Sequence, residues 1–256
     1  MSAGRIVPVG ELPERSTITT DLPVPESALA IGAHPDDIEF GCGATLAKWA
    51  AAGCRLHHLV LTDGSKGTWD AGDDMAALVA TRHLEQLEAA QVLGGGDVTF
   101  LDWPDGELED AMPQRRQVCQ VIRQVRPEAV LAHDPWRRYR LHPDHRHAGW
   151  LAVDALVAAR DPKFFEDLGL DAHRPSLLLL WEADDPNHVE DVRATAEIKL
   201  AALLTHRSQH RSTMGIDGAT EGADTAFRSR MEAQLAAHGA LAGFGAGEAF
   251  HLIVDL

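Results

Sequence analysis

Four short apolar runs, at residues 28–31, 56–61, 98–101 and 129–132, alternate with longer stretches of helical periodicity. This alternation constrains the fold more than any other feature, because strand, helix and strand in succession imply a right-handed crossover and a parallel sheet. One helix is read over residues 43–52, with Leu46, Trp49 and Ala50 inward and Gly53 as its stop. A second covers residues 75–93 and ends at Gly94-Gly95-Gly96, and Val118, Val121, Ile122 and Val125 form a third amphipathic stripe. Further on, the pattern predicts a strand over 176–181, helices over 189–204 and 223–238, and a closing strand over 249–254. The expected architecture is α/β, a Rossmann-like three-layer sandwich with a mostly parallel sheet. Residues 1–26, with Pro8, Pro13, Pro23 and Pro25, read as an extended lead-in, and residues 27–256 as one domain.

Open α/β sheets bind their ligands at the carboxyl ends of the strands, and here those ends are polar. The first run leads into Ala33-His34-Pro35-Asp36-Asp37, the second into Thr62-Asp63-Gly64, the third into Asp102-Trp103-Pro104-Asp105-Gly106, and the fourth into His133-Asp134-Pro135-Trp136. The topology therefore gathers His34, Asp36, Asp37, Asp63, Asp105 and His133 on one rim. A second cluster, His142-Pro143-Asp144-His145, opens a helix on which His145 shares an inward face with Gly149, Ala152 and Leu156. Imidazole and carboxylate are zinc ligands, and a catalytic zinc site uses three protein ligands and leaves one position open. His34 and Asp37 supply two, and the second cluster supplies the third. Taken alone, the first cluster also fits a turn histidine followed by helix-capping acids. The chemistry alone leaves open which of Asp36 and Asp37 binds metal and which stays free.

The two clusters together resemble the PIG-L/LmbE-like family of zinc-dependent de-N-acetylases, which carries an AHPDD-type motif after its first strand and an HPDH-type motif past mid-chain. Weaker matches follow in the family's order: Arg82-His83-Leu84-Glu85, Leu93-Gly94, Asp105-Gly106, Ser208-Gln209 and Phe250-His251. The resemblance spans residue 27 to the end. It implies metal-dependent hydrolysis of an N-acetylglucosamine-type conjugate, a small-molecule N-acylated sugar. It implies Zn2+ on His34, Asp37 and His145, with Asp36 as general base. His142 would be acid to the leaving amine or stabilise the oxyanion, held by Asp144. Ferrous iron suits the same ligands. Substrate contacts are expected at Asp63, Arg82, Asp105 and Ser208. Trp69, in the glycine-rich loop 63–74, has a flat face suited to a sugar ring. Arg140 stands where some relatives have a tyrosine as oxyanion donor. With Arg137 and Arg138 it forms a basic cluster that reads either as an anion-recognition element or as a solvated loop. Two alternatives remain: a thiol-conjugate amidase of the same family, and a non-catalytic sugar- or metal-binding protein on the same fold. Asp36 weighs against the second, because binding alone needs no free base.

Composition narrows the partners. A net charge of -16, from 23 basic and 39 acidic residues, argues against a nucleic-acid backbone or an anionic membrane. No apolar run approaches the length of a membrane span, and the first residues lack the apolar core of a signal peptide. Cys42, Cys54 and Cys119 form no CxxC pair, which suits a reducing, cytoplasmic setting. A homo-oligomer is left open. Of the other histidines, His57, His58, His83, His173, His188 and His238 read as packing or surface residues. His206 and His210, four apart around Ser208-Gln209, are read as neighbours of the substrate rather than a second metal site.

Overall fold

The computed structural model describes residues 18–218, 220 and 222–256. Strand β2 (Ser27–Gly32) is buried at every position, so each face of the sheet needs its own cover. Leu29 and Ile31 point to one side and pack with Leu59, Val130 and Leu180 under helices α3 (Met112–Val125) and α4 (Pro143–Arg160). Ala28 and Ala30 point to the other, where Ile38, Leu46 and Trp49 of α1 (Asp37–Ala51) and Ala89 of α2 (Met75–Val92) cover them. Helix, sheet and helix make three layers. Strands buried on both faces have continuous apolar runs, which is why the runs are legible in the sequence.

The other strands are β1 (Thr19–Thr20), β3 (Arg55–Thr62), β4 (Asp97–Trp103), β5 (Ala129–His133), β6 (Leu177–Trp181), β7 (His188–Asp191) and β8 (Gly247–Val254). They form an eight-stranded sheet in the order β1-β7-β8-β6-β5-β2-β3-β4. All pairings are parallel except those of β8, which runs antiparallel to β6 and β7. The chain winds outward from β2 through β3 to β4, then returns to place β5 on the other side of β2. That reversal opens a crevice at the carboxyl ends of β2 and β5, the place where such sheets bind ligands.

Two expectations are corrected. The helix read over 189–204 is shorter: α5 spans Ala196–Thr205, and His188–Asp191 is the strand β7. No apolar run marks this strand, because the polar His188 and Glu190 flank Val189 and all three are buried. Burial of such groups requires partners. His188 Nε2 lies 3.0 Å from Glu190 Oε1, and Lys48 donates to Glu190 Oε2 at 2.7 Å. The helix read over 43–52 begins earlier, at Asp37, with a break at Cys42. Gly41 hid that start, and it is there because a Cβ would lie 2.5 Å from the Trp181 ring. Of the lead-in, residues 1–17 lie outside the described residues, while Thr19–Thr20 pairs with β7. A final helix, α6 (Ala223–Ala240), packs Phe227 and Met231 against Leu200 and Leu203 of α5.

Candidate active site

Beyond β2 the chain makes a tight turn. The Asp37 N–H donates to the His34 carbonyl at 3.3 Å, and the His34 N–H donates to Asp37 Oδ2 at 2.7 Å. Between them Asp36 takes φ 100°, ψ -25°, a left-handed conformation that costs a non-glycine residue energy and often marks a functional site. Helix α4 reaches this turn from the other side of the crevice. Gly149 lets it seat on the end of β5, since a Cβ there would lie 2.7 Å from the His133 carbonyl oxygen. That seating brings His145, one turn earlier, to Asp37.

Three side chains meet as a result, each histidine facing a different oxygen of Asp37. His34 Nδ1 is 3.2 Å from His145 Nε2 and 3.3 Å from Asp37 Oδ2, and His145 Nε2 is 3.2 Å from Asp37 Oδ1. Tetrahedral zinc with bonds of about 2.0–2.1 Å has ligand–ligand edges of about 3.3–3.4 Å, so this donor set fits a metal. The hydrogen-bond partners orient it. His34 Nε2 is 3.1 Å from both Asp105 Oδ1 and Asp144 Oδ2, which places its proton there and leaves the Nδ1 lone pair facing Asp37 and His145. His133 also approaches, with Nε2 3.2 Å from Asp37 Oδ2. Its Nδ1, however, accepts from Trp181 Nε1 at 2.9 Å and from Arg140 Nη2 at 2.7 Å, so its proton rests on Nε2. In that tautomer the His133 Nε2 proton faces Asp37, while the unprotonated nitrogen would make Asp37, His133 and His145 a second group of donors close enough to hold an ion.

The electrostatics point the same way. Asp36, Asp37, Asp105 and Asp144 are each at most 7% exposed, and an unpaired buried carboxylate costs several kcal/mol. Burial lowers the tendency of His34 to hold a proton, but Asp105, Asp144 and Asp37 outweigh it and raise its pKa well above the ordinary value. Burial would raise the Asp37 carboxyl, yet His145 and His133 hold it well below the usual range. Burial, with the Asp37 charge, pushes Asp36 up to about 6 despite Arg82. Burial together with His34 and His145 lowers His142. A surplus of buried carboxylate around three converging donors is what a divalent cation would balance.

A cavity of about 540 Å³ opens above these groups. Its floor holds His34, Asp36, Asp37, Asp105, His142 and His145, and its far wall holds Gln209, Thr213, Arg230, Met231 and Gln234. Arg82 lines it too, but its guanidinium donates to the Gly64 and Pro35 carbonyls at 2.8 and 2.6 Å and stands 3.6 Å from Asp36 Oδ2.

Other expected contacts fall elsewhere. Asp144 is not bonded to His142. It is fully buried, bonded to His34 and to the Gly106 N–H at 2.6 Å, because the first turn of α4 points it under the floor. Asp63 lies outside the cavity, accepting the Ser65 and Asp105 N–H groups. Ser208 donates to Glu85 Oε2 at 2.6 Å, and with the 72% exposed Trp69 it lines a separate depression of about 250 Å³. Arg140 is withdrawn from the cavity by His133 and Glu182. Burial would raise the Glu182 carboxyl, but the Arg140 and Arg137 guanidiniums paired with it hold it at about 2. His206 and His210 do not converge: His206 Nε2 faces Glu39, and His210 Nε2 bonds the Leu204 carbonyl. Sequence reasoning gave His133 a place on the rim but no role, and it missed Glu182, Arg230 and Gln234. The last two carry no signal, since α6 reads as an ordinary amphipathic helix.

This metal-ready crevice at the switch point of a mostly parallel sheet defines a class, and the comparisons name it. The family model described as GlcNAc-PI de-N-acetylase, PIG-L, matches residues 29–156. A diacetylchitobiose deacetylase of Thermococcus kodakarensis is 39% identical over 187 residues, covering 72% of this chain and 70% of that protein. A 1D-myo-inositol 2-acetamido-2-deoxy-alpha-D-glucopyranoside deacetylase of Kineococcus radiotolerans is 32% identical over 53% of this chain and 46% of its own length. Among solved structures, N,N'-diacetylchitobiose deacetylase from Pyrococcus horikoshii with its inhibitor superposes with a TM-score of 0.81, at 29% identity, over 90% of this chain and 84% of that one. The chain belongs to the PIG-L family of de-N-acetylases. Among the described residues no helix is long and apolar enough to cross a membrane.

Proposed function

We propose that this protein is a metal-dependent N-deacetylase acting on an N-acetylglucosamine-type conjugate. One observation carries the reading: two histidine nitrogens 3.2 Å apart, each 3.2–3.3 Å from one oxygen of the Asp37 carboxylate, on a cavity floor beside a second acid that contacts neither histidine. His34 Nδ1, Asp37 and His145 Nε2 would hold Zn2+ or Fe2+. Such an ion, when bound, makes a water nucleophilic near neutral pH and polarises the acetyl carbonyl.

The chain's own residues do the rest. Asp36 takes the proton of the attacking water. A carboxyl raised to about 6 is ionised at neutral pH and still basic enough to act. The protonated Asp36 then returns this proton to the leaving amine as the C–N bond breaks. His142, whose pKa is lowered, is neutral in this scheme and donates a hydrogen bond to the oxyanion. Asp144 and Asp105 hold the His34 proton on Nε2, and His133 steadies Asp37.

A cavity of about 540 Å³ leaves room beyond one N-acetylated ring for a second ring or an aglycone against the far wall. The names of the relatives, which are deacetylases of acetylated glucosaminides, support this substrate class. Three free, buried cysteines support a cytoplasmic setting. The test is acetate release from N-acetylglucosamine, N,N'-diacetylchitobiose and an inositol-linked N-acetylglucosaminide, with metal measured in the same samples. We expect release that a chelator abolishes and added Zn2+ or Fe2+ restores. Metal-loaded protein inert on every one of these would contradict the reading, and preferential cleavage of a thiol-conjugate amide would assign the family's other activity.

A further inference from the structure

Behind Asp36 lies a buried chain of polar groups to which the mechanism above gives no task. The left-handed Asp36 peptide is gripped from two sides. Arg82 donates to the Pro35 carbonyl at 2.6 Å, and Gln86, one turn further along α2, accepts the Asp36 N–H at Oε1 over 3.0 Å. Gln86 Nε2 in turn donates to Glu39 Oε1 at 2.7 Å, and Glu39 Oε2 stands 3.3 Å from His206 Nε2. Gln86, Glu39 and His206 are all 0% exposed. An amide can accept the Asp36 N–H only through its oxygen, and a carboxylate only accepts. Glu39 therefore fixes which end of the Gln86 amide faces Asp36, and the His206 ring stands beside the other Glu39 oxygen as a charge partner without a hydrogen bond to it.

We propose that Gln86, oriented by Glu39 and His206, is a positioning residue that holds the strained Asp36 peptide so that its carboxylate faces the attacking water. The inference rests on the reading of Asp36 as the base. Neither Gln86 nor Glu39 nor His206 lines the cavity, so each reaches the reaction only through Asp36. Burying this many polar groups is costly where apolar side chains would pack, and the two bonds of the Gln86 amide, to the Asp36 N–H and to Glu39, are what fix its orientation.

The test uses the metal-loaded full chain and N,N'-diacetylchitobiose. Gln86→Met preserves volume and removes both ends of the amide. We expect kcat to fall about ten- to hundredfold, the scale of a displaced catalytic group. KM should stay within about threefold of wild type and metal content should not change. In an Asp36→Asn background the same substitution should make no further difference, because the group it positions is gone. A wild-type kcat, a loss traced to KM or to metal, or an equal loss in both backgrounds would overturn the proposal.

Should Gln86→Met not fold, a reciprocal exchange asks the same question. Gln86→Glu alone sets two carboxylates against each other, and we expect a loss of about tenfold or more. Adding Glu39→Gln reverses donor and acceptor while keeping an acceptor for the Asp36 N–H, and should restore kcat to within about threefold of wild type. A double variant no better than the single one would overturn the proposal. An Asp36→Asn protein with full turnover would instead remove the base assignment itself, a result distinct from any of these.

Discussion

Under the floor of the cavity Asp144 is fully buried and bonded to His34 and to the N–H groups of Gly106 and Leu108. On the far wall the exposed Arg230 spends one Nη2 on the Met214 carbonyl, lies over the Phe227 ring, and leaves the remainder of its guanidinium to solvent and cavity. The two regions answer to different demands. A metal and a base need particular atoms at fixed distances, so His34 and Asp37 are each held by further polar groups behind them. A wall needs only shape and some hydrogen-bonding capacity, which many residues supply.

Removing floor ligands should have the largest effect. We expect His34→Ala, Asp37→Ala and His145→Ala each to leave the protein nearly free of metal after purification and inactive, as measured by elemental analysis and acetate release. Full occupancy in all three would break the distinction between the regions. One shell out, Asp144→Asn should weaken metal binding about ten- to hundredfold, the usual weight of a carboxylate that orients a ligating histidine. Competition with a chelator of known affinity reads this directly, and unchanged affinity would mean that Asp144 serves His142 after all.

Wall substitutions should act on substrate and leave metal alone. Arg230→Ala and Gln234→Ala are expected to raise KM for N,N'-diacetylchitobiose about three- to tenfold while kcat on N-acetylglucosamine stays near wild type. Trp69→Ala should change neither, since that ring lies in the separate depression. If Trp69 altered the ranking of substrates and the wall pair did not, the wall would have been placed wrongly.

The smallest effect is expected at the seam between the regions. Glu182 is held at about 2 against an ordinary value of 4.5. A carboxyl with a lowered folded-state pKa contributes stability above its ordinary value and loses it as pH falls towards the lowered one. Partial exposure discounts the size of this contribution. Glu182→Gln should therefore be modestly less stable than wild type at pH 7. The gap in denaturant midpoint should close between about pH 4.5 and pH 2, and a gap that persists at the acid end would show that packing, not charge, is responsible.

The same contrast explains what the sequence discloses. The gathering of His34, Asp36, Asp37 and His145 on one rim was legible, because the strands and the helix that carry them have plain periods, while the choice of Asp37 over Asp36 as ligand came from the family resemblance. The partner of Asp144 was not legible, since it depends on how far α4 advances over β5, which Gly149 settles in three dimensions. Strand β7 was hidden because it is four residues long and two of its three buried positions, His188 and Glu190, are polar, with distant Lys48 pairing Glu190. Trp69 and Arg140 drew attention through residue type, but the loop fold turns one outward and His133 with Glu182 draws the other under the rim. Gln209 belongs to a motif that the sequence offered, but Arg230 and Gln234 carry none, and only the packing of α6 on α5 brings them to the cavity.

The central claim is that one rim acid binds metal and its neighbour moves the proton. Asp36→Asn, assayed for metal content and for kcat on the same preparation, tests it most directly. The account predicts full metal occupancy with turnover reduced by about a hundredfold or more, the usual weight of a general base. Turnover near the wild-type rate in the metal-loaded variant would contradict it, as would loss of the metal together with the activity.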